Sequence, residues 1–539
     1  MADDPLAAEI AAQPWWRGAS IYQIYPRSFM DSNGDGIGDL PGITSHLGHV
    51  ADLGADAIWI SPFFTSPMLD FGYDVAAFRD VDPIFGTLDD FDALVARAHG
   101  LGLKVIIDQV YSHSSDLHRW FTESRSSRDN DKADWYVWAD AKSDGTPPNN
   151  WQSIFSGPAW SWDARRGQYY FHNFLPQQPD LNLHNPEVQE ELLNVGRFWL
   201  DRGVNGFRID AVLHMMHNQA LTDNPPNNDP HRLRARSHDF QQNIHNQAQP
   251  EVLDFLARVR KMTDEYGAVF TVAEVGGSAD AGPFLQACAD GKRVNSAYGF
   301  DFLYASALTP SLVCDTQSRW KEGPGHGWPS WAFENHDAPR ALSRWAQGHD
   351  HKAFATMKMA LLTALRGSII LYQGEELGLD QVDIPFELVQ DPEALKNWPL
   401  TLSRDGARTP LPWQGNAAHG GFTEGEPWLP LGEEHRALAI DVQEGDPQSL
   451  LEITRQLLTM RREHPTLRFG SARCSHRDDK VLTMIRQSEQ QTLCCIFNMS
   501  DEEQAVGTLP CDAEADIVFT ANGATREVLP PFGVIFLAC

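Results

Sequence analysis

The segments KVIIDQV (104–110), NGFRID (205–210) and AVFTVAE (268–274) are short β-type runs, and each contains or ends at a carboxylate. Their apolar residues form largely continuous stretches, a pattern typical of parallel strands that are buried on both faces. Five further runs bring the predicted strands to eight: Ser20–Pro26, Asp56–Ile60, Tyr298–Phe302, Trp331–Asn335 and Ser368–Gln373. The chain is therefore expected to contain a parallel sheet of eight strands.

Segments with helical spacing of apolar residues lie between most of these strands. One of them begins with Pro186, which suits the first turn of a helix. The predicted helices are Ile43–Leu53, Leu88–His99, Pro186–Arg202, Pro250–Tyr266, His351–Arg366 and Gln448–Arg462. Strands that alternate with helices in this way predict an α/β fold, a (β/α)8 or TIM barrel, over residues 1–110 and 180–463.

Three stretches interrupt or follow this pattern. Residues 111–179, rich in Trp, Asn, Gly and Pro, are too long for a simple loop and are expected to form an insertion domain, domain B, after the third strand. Residues 375–445 are expected to form a subdomain after the eighth strand. Polar turns separate the runs KVLTMIRQ, QTLCCIFN, DIVFT and GVIFLAC, so residues 464–539 are expected to form an antiparallel β-sandwich domain.

The charge of the chain limits its partners. Among 539 residues, Lys and Arg number 43 and Asp and Glu number 73, which gives a formal net charge of −30. Nucleic acids and anionic membranes bind basic surfaces, so neither is expected as a partner. No stretch approaches the roughly 18 uninterrupted apolar residues that a membrane span needs. The 17 Trp and 28 Phe suit a core and also the stacking of sugar rings.

The N-terminal sequence and the cysteines indicate the cellular compartment in which the protein is expected. The N-terminal sequence MADDPLAAEIAAQPWW lacks the basic and apolar segments of a signal peptide. Seven cysteines without a CxxC pair suit a reducing compartment, and Cys494 and Cys495 are interpreted as strand residues. We therefore expect a cytoplasmic protein, either a monomer or a homodimer.

Three acidic residues end or follow predicted strands, namely Asp210, Glu274 and Asp337. In a barrel of this kind the C-terminal ends of the strands meet at one face, where active sites lie. For each residue alone, a helix cap or a salt bridge is an alternative interpretation. Three carboxylates that converge on one face favour a reaction that uses two or more of them.

Glycoside hydrolysis is such a reaction, because one carboxylate attacks the anomeric carbon while a second, protonated one donates to the departing oxygen. Arg208 lies two residues before Asp210 and points to the same face of the strand. Its cation would keep a nucleophilic carboxylate ionised. The alternative for Arg208 is an ion pair inside the barrel without a catalytic role.

Four segments at predicted strand ends resemble the signature regions of the α-amylase family of glycoside hydrolases: DQVYSH (108–113), GFRIDAV (206–212), AEVG (273–276) and ENHDAPR (334–340). Others are similar to its α-glucosidase and oligo-1,6-glucosidase branch: QIYPRSF (23–29), DGIGDL (35–40), FGYDV (71–75), QPDLN (178–182) and RDGARTP (404–410). The resemblance covers nearly the whole chain. It implies a retaining enzyme that works through a covalent glucosyl intermediate and needs no metal for catalysis.

The resemblance also implies roles for individual residues. Asp210 is implied as the nucleophile, Glu274 as the general acid/base, and Asp337 as the carboxylate that stabilises the transition state. The glucose unit at the cleaved bond would be bound by Asp70, Tyr73, His113, Arg208, His336 and Arg404. Phe155 and Phe174 match aromatic positions that close the pocket in this branch, with core packing as the alternative for each.

A metal site is expected near the N-terminus, in DSNGDGIGD (31–39). Oxygen side chains at positions one, three and five, with glycine at six, reproduce the first half of an EF-hand loop, although the twelfth position is Gly42 rather than Glu. The expected ligands of a structural Ca²⁺ or Mg²⁺ are Asp31, Asn33, Asp35, the carbonyl of Ile37, and Asp39. An acidic turn without metal is the alternative. Ser112 replaces an Asn that helps to bind calcium in many amylases, which puts a calcium there in doubt but not the catalytic role of His113.

The residue after the implied nucleophile indicates which glycosidic linkage the enzyme prefers to cleave. It is typically Val in oligo-1,6-glucosidases and small or Thr in enzymes that prefer α-1,4 bonds, and here it is Ala211. We therefore expect an exo-acting α-glucosidase that acts on maltose-like sugars, with some transglucosylation. The long segment Leu213–Gln249 would crowd the subsites beyond the cleaved bond and favour disaccharides.

Other functions remain possible from the sequence. An oligo-1,6-glucosidase or a sucrose-processing glucosyltransferase of the same family would carry the same carboxylates. A non-catalytic scaffold, such as the heavy-chain subunits of amino-acid transporters, would need a membrane span that this sequence does not contain. A binding module alone would not need an acid, a nucleophile and a stabiliser together.

Overall fold

The computed structural model describes residues 13–230, 234–276, 281–323, 326–401, 403–507 and 515–539. Eight parallel strands form a closed barrel in which each strand pairs with its neighbours in the chain and the last pairs with the first. They are β1 (Ser20–Ile24), β2 (Ala57–Ile60), β3 (Lys104–Gln109), β4 (Gly206–Ile209), β5 (Phe270–Glu274), β6 (Ser296–Tyr298), β7 (Trp328–Ala332) and β8 (Ser368–Tyr372). The predicted (β/α)8 barrel is confirmed.

The predicted positions of the sixth and seventh strands are wrong. Both β6 and β7 begin earlier in the chain than expected, and the aromatic runs Tyr298–Phe302 and Trp331–Asn335 lie mostly in the loops that follow them. Phe302 and Phe333 are buried there, with ring centroids 5.0 Å apart in an edge contact. Buried aromatic residues beneath a loop have the same composition as a strand, so the sequence pattern does not separate the two.

Helices surround the barrel and begin at side-chain caps. Asp39 accepts a hydrogen bond from Gly42 N, and Thr87 and Asp90 form a reciprocal capping box. The longer helices and one short helix used below are α1 (Leu40–Leu53), α2 (Leu88–Gly100), α3 (Pro186–Asp201), α4 (Val252–Asp264), α5 (Ala281–Cys288), α6 (Pro310–Ser318), α7 (His351–Ala364), α8 (Pro392–Asn397) and α9 (Leu450–Glu463). Shorter ones are Pro26–Phe29, Arg119–Ser124, Ala341–Trp345, Ile440–Gln443 and Pro465–Phe469.

The segment between β3 and α3 carries its own small core. Its antiparallel strands are Trp138–Ala139, Trp160–Asp163 and Gln168–Phe171. The buried side chains of Trp151, Trp160 and Phe171 pack together there. An isolated bridge between His113 and Asp180 joins its two ends at the mouth of the barrel. The segment is thereby fixed over the C-terminal ends of the strands.

The C-terminal part forms an antiparallel sheet in the order β9 (Ser471–Arg477), β10 (Val481–Gln487), β11 (Thr492–Asn498), β13 (Val534–Ala538), β12 (Asp516–Ala521). Strand β9 was not predicted, because its exposed residues in SARCSHR lack an apolar alternation. Strands Gln504–Ala505 and Val528–Leu529 form a smaller sheet. Its Leu529, and Val506 directly after its first strand, pack against one face of the larger sheet. The expected all-β antiparallel domain is confirmed.

The cysteines differ in part from expectation. Cys494 and Cys495 are buried in β11, as predicted. The sequence interpretation included no disulfide, but Cys314 on α6 is bonded to Cys474 on β9, across 160 residues of chain. This bond joins the barrel to the C-terminal domain. In the described ranges, no helix has the length and apolar character that spanning a membrane requires.

Candidate active site

The three predicted catalytic carboxylates line one cavity of about 710 Å³ at the mouth of the barrel. Asp210 directly follows β4, Glu274 is the last residue of β5, and Asp337 lies five residues beyond the end of β7. Asp210 and Glu274 are each 7% exposed. Because β4 and β5 are adjacent strands, the first two carboxylates are placed side by side.

Arg208 contacts two of these carboxylates, those of Asp210 and Glu274, and also that of Asp108. Its Nη1 lies 2.5 Å from Asp210 Oδ1 and 2.6 Å from Asp108 Oδ1, and its Nη2 lies 2.6 Å from Glu274 Oε1. The parallel register places Asp108 directly opposite Arg208 on the neighbouring strand. Burial opposes the charge of Arg208, but Asp108 and Glu274 outweigh it and raise the pKa of the guanidinium well above its usual value. The arginine is therefore a fixed cation.

One cation among three buried carboxylates leaves an excess of negative charge. Burial raises the pKa of Asp108 to about 6. Burial also raises the pKa of Asp210, an effect that Arg208 opposes and that Glu274 and Asp108 strengthen. Asp108 and Asp210 therefore lose their protons at higher pH than exposed carboxyls do, because burial and the neighbouring carboxylates disfavour their charge. The cluster therefore brings three carboxylates into contact with one fixed cation.

Asp337 has the opposite surroundings. Arg408 Nη2 lies 2.6 Å and Arg404 Nη1 3.3 Å from its Oδ1, and His336 Nε2 lies 3.3 Å from its Oδ2. Although burial opposes ionisation, His336, Arg408 and Arg404 hold the pKa of Asp337 well below its usual range. Asp337 is therefore an unprotonated carboxylate with a fixed orientation.

The remaining predicted glucose-binding residues gather at the base of the cavity. Arg404 Nη2 lies 3.0 Å from Asp70 Oδ1, and the Tyr73 hydroxyl lies 2.7 Å from His336 Nε2. The rings of Tyr73 and His336 are stacked with an interplanar angle of 2°. Burial lowers the pKa of His113 to about 4 and that of His336 to about 3, so both imidazoles are neutral at pH 7. The base thus offers neutral donors and acceptors beside one aromatic face.

The residues predicted for substrate contact divide into two groups. Those that line the cavity are Asp70, Tyr73, His113, Phe155, Phe174, Ala211 and Arg404. Arg208 and His336 are fully buried and lie behind that lining, where they act on the side chains in front of them. The ring of Phe155 contacts that of Phe174, with centroids 5.7 Å apart, and lies 5.2 Å from the Arg404 guanidinium.

The backbone at Ala211 is strained. Its φ of 42° is in the left-handed region, and its amide donates a 3.0 Å hydrogen bond to Glu274 Oε2. A non-glycine residue adopts this conformation only when its surroundings require it. The turn after β4 therefore presents the amide of Ala211 to the neighbouring carboxylate.

Sequence reasoning missed several residues of this site. Asp391 accepts hydrogen bonds from Arg404 Nη2 at 2.7 Å and from Arg404 N at 2.8 Å. Arg408 bonds to Asp337, and the Tyr298 hydroxyl lies between Arg208 Nε, at 3.1 Å, and Glu274 Oε1, at 3.3 Å. Of the two arginines in RDGARTP, only Arg404 was assigned a role from the sequence.

The candidate metal loop forms successive turns. Asp31 accepts hydrogen bonds from the amides of Asn33, Gly34 and Gly36, and Asn33 Oδ1 accepts one from the amide of Asp35. Burial opposes the charge of Asp31, but hydrogen bonds from Thr423 and these amides lower its pKa. The side-chain and carbonyl oxygens of this loop are a donor set that suits a hard cation. Asp39 caps α1 through Gly42 and also accepts from Ser32.

The position beside His113 has no such character. Ser112 Oγ lies 2.9 Å from His113 Nδ1. Over the part of the chain that the structure describes, no group of three or more His, Cys, Asp or Glu residues is arranged to hold a metal ion. The N-terminal loop, with its amide and carbonyl oxygens, is a different kind of donor set.

Known proteins share this fold and these motifs. The family model of the α-amylase catalytic domain matches residues 23–470. A protein named probable alpha-glucosidase, from Rhizobium meliloti (strain 1021), is 52% identical over 537 residues, which cover 97% of this chain and 96% of that protein. An oligo-1,6-glucosidase from Parageobacillus thermoglucosidasius is 34% identical, with 90% of this chain and 91% of that protein covered.

A solved structure is similar over almost the whole length. The crystal structure of an alpha-glucosyl transfer enzyme, XgtA, matches with a TM-score of 0.92 and 48% identity, covering 98% of this chain and 99% of that chain. The closed barrel, the cavity lined by three carboxylates and these relatives agree with one another. The chain belongs to the α-amylase family and is a glycoside hydrolase of the α-glucosidase class.

Proposed function

We propose that this enzyme is a retaining, exo-acting α-glucosidase that releases terminal α-1,4-linked glucose from maltose-like short oligosaccharides. The observation that carries the proposal is the contact of one guanidinium, Arg208, with both Asp210 and Glu274. A single planar group reaches both carboxylates only when they are close to each other. Carboxyl groups are closer together in retaining enzymes than in inverting ones, so this shared contact supports the retaining route.

The first step forms a covalent intermediate. Glu274 donates its proton to the glycosidic oxygen as the bond from that oxygen to the anomeric carbon breaks, and a carboxylate oxygen of Asp210 bonds to the same carbon from the opposite face. Asp337, held ionised by two arginines, lies where it can accept hydrogen bonds from the sugar hydroxyls and stabilise the positive charge of the transition state.

The second step restores the enzyme. Glu274, now a carboxylate, removes a proton from water, whose oxygen bonds to the anomeric carbon as the bond to Asp210 breaks. Two inversions give a product of α configuration. An acceptor sugar that enters in place of water gives a longer glucoside, so transglucosylation accompanies hydrolysis. No metal takes part in either step.

Exo action is supported by the base of the cavity. The ion pair between Asp70 and Arg404 closes the end that a chain would have to pass through, and Asp391 fixes Arg404 from the other side. A sugar ring in front of this pair is therefore a terminal one. Phe155 and Phe174 supply apolar faces beside it.

The α-1,4 preference rests on Ala211, whose small side chain lines the cavity directly after the nucleophile. A 1,4-linked partner sugar approaches this position more closely than a 1,6-linked one, which has an additional rotatable carbon. The segment Leu213–Gln249 contributes further lining residues, including His214, His238 and Gln247, which narrows the space beyond the cleaved bond.

We also propose a structural Ca²⁺ or Mg²⁺ in the N-terminal loop, held by Asp31, Asn33, Asp35, the Ile37 carbonyl and Asp39. The loop adjoins α1 through Asp39, so a bound cation would stabilise the start of that helix. Thermal unfolding with and without a chelator tests this role. A rise in the unfolding midpoint on adding Ca²⁺, abolished by Asp31→Ala, supports the proposal, and equal midpoints contradict it.

A second candidate is a glucosyltransferase, which the named activity of XgtA favours. Incubation with maltose, isomaltose, sucrose and maltotetraose, with the products followed by NMR at early times, distinguishes the two. Free α-glucose from maltose, with little from isomaltose, is the expected result. Products dominated by new glucosides support the transferase, rapid cleavage of isomaltose supports an oligo-1,6-glucosidase, and β-glucose contradicts the mechanism. We also propose a cytoplasmic location, which the Cys314–Cys474 disulfide does not support because such bonds are typical of oxidising compartments.

A further inference from the structure

Three segments that are far apart in the sequence meet above the catalytic carboxylates. They are 154–157 in the insertion after β3, 235–239 in the loop after β4, and α8 in the subdomain after β8. Each contributes side chains to the wall of the same cavity, among them Phe155, Arg236 and Glu393. Loops project beyond the strand ends, so this part of the wall lies on the outer side of the carboxylates, where the reducing end of a substrate must extend.

The three segments are joined to one another by polar contacts. Gly157 N donates a 2.8 Å hydrogen bond to Ser237 Oγ, and Ser237 N donates a 3.3 Å hydrogen bond to Ser156 Oγ. Lys396 Nζ donates to the carbonyl of Ser156. These contacts fix the insertion to the loop after β4 on one side and to α8 on the other.

An ion pair joins the loop after β4 directly to α8. Arg236 Nη1 lies 3.3 Å from Glu393 Oε1, with side chains 28% and 15% exposed. Asp239 accepts from Arg236 Nη2 at 3.2 Å and from Nε at 3.4 Å, which orients the guanidinium toward α8. Partial burial and a second carboxylate make this pair better defined than an isolated surface ion pair.

We propose that Arg236 and Glu393 form the outer wall of the substrate cavity and set the length of sugar that it accepts, admitting a disaccharide and excluding longer maltosaccharides. The inference rests on the proposed α-glucosidase activity and names the residues that determine its substrate length. A third glucose unit would have to pass between the loop after β4 and α8, which the ion pair joins. Separation of the pair opens that path without changing the carboxylates beneath.

The test compares substrates of different length in matched variants. The ratio of kcat/KM for maltotetraose to kcat/KM for maltose is measured in the wild type, in Arg236→Ala, in Glu393→Ala and in the double variant. We expect the ratio to rise about tenfold in either single variant, the scale of discrimination that removal of a steric contact gives. The double variant should rise no further, because both changes open the same contact.

Arg258→Ala is the control. Arg258 forms an ion pair of 2.7 Å with Glu190 on the helices outside the barrel, away from the cavity, so its loss should leave the ratio unchanged. Use of a ratio separates chain length from a general loss of activity. Because Arg236 and Glu393 lie on different segments, a folding defect in one variant leaves the other as a test.

Failure of the proposed function and failure of the inference on substrate length give different results. If the wild type releases no glucose from maltose, the proposed function is wrong. If it does so and the ratio is the same in the wild type and both single variants, the pair does not set substrate length and the inference is overturned. A wild type that already cleaves maltotetraose as well as maltose overturns it equally.

Discussion

Asp210 and Asp337 line the same cavity but differ in the charges around them. Asp210 shares a single guanidinium, that of Arg208, with two other carboxylates, whereas Asp337 contacts two guanidiniums, those of Arg404 and Arg408. Burial and the neighbouring carboxylates raise the pKa of Asp210, whereas His336 and the two arginines hold the pKa of Asp337 well below its usual range. Two carboxyls in one cavity therefore shift their pKa values in opposite directions, because the ratio of cations to carboxylates around them differs.

Removal of the reacting groups gives the largest effect. Asp210→Asn eliminates the nucleophile and Glu274→Gln the acid, so each should lower kcat on maltose by about 10⁴-fold. Circular dichroism should show an intact fold in both variants. Glucose release by either variant at near the wild-type rate would contradict the assignment of these residues.

Arg208→Lys breaks the first cluster without removing its charge. A lysine reaches one carboxylate as a point charge and cannot contact three at once, so kcat should fall by about 10² to 10³-fold. Arg258→Lys, at an exposed pair, is the matched control and should have no effect. A kcat for Arg208→Lys within twofold of the wild type would mean that charge alone suffices and that the shared contact is unimportant.

Arg408→Gln weakens the second cluster. Loss of one cation should raise the pKa of Asp337 by about one unit or more. Because the folded pKa of Asp337 is depressed, its ionisation stabilises the protein above the ordinary carboxyl pKa and that stabilisation is lost as pH falls. The variant should therefore lose kcat and unfold at higher pH than the wild type on acidification. If kcat and unfolding depend on acidic pH in the same way in both proteins, Arg408 does not lower the pKa of Asp337, and this part of the comparison is wrong.

Ala211→Val changes neither cluster and should have the smallest effect. It should shift the kcat/KM ratio from maltose toward isomaltose by several-fold, the scale of one or two methyl groups in a pocket. A β-branched residue at a φ of 42° is also strained, so the melting temperature should fall by a few degrees. An unchanged substrate ratio would remove the argument for α-1,4 preference.

The sequence was sufficient for the parts of this account that depend on local pattern. Runs such as KVIIDQV predict strands, and the position of a carboxylate at a strand end predicts that it faces the barrel mouth. The positions of Asp210 and Glu274, the proposed nucleophile and acid/base, were predicted in this way, and both residues line the cavity.

The sequence did not predict contacts between segments that are far apart in the chain. Arg408 reaches Asp337 across 71 residues, and Arg236 reaches Glu393 across 157. The disulfide between Cys314 and Cys474 spans 160 residues and depends on how α6 lies against β9. Sequence periodicity does not report contacts between residues so far apart in the chain. The contacts of Asp337 with its arginines, and the wall of the cavity, are therefore seen only in the folded structure.

Trapping the covalent intermediate tests the central claim most directly. The wild type is incubated with 5-fluoro-α-glucosyl fluoride and is then digested and analysed by mass spectrometry. The fluorine at C5 slows both steps, and the anomeric fluoride is a good leaving group that keeps the first step faster than the second. The account predicts a fluoroglucosyl group on the peptide that contains Asp210, bonded to that carboxylate, and none in Asp210→Asn. Label on another carboxylate, or turnover of the fluoride in Asp210→Asn at the wild-type rate, would contradict it.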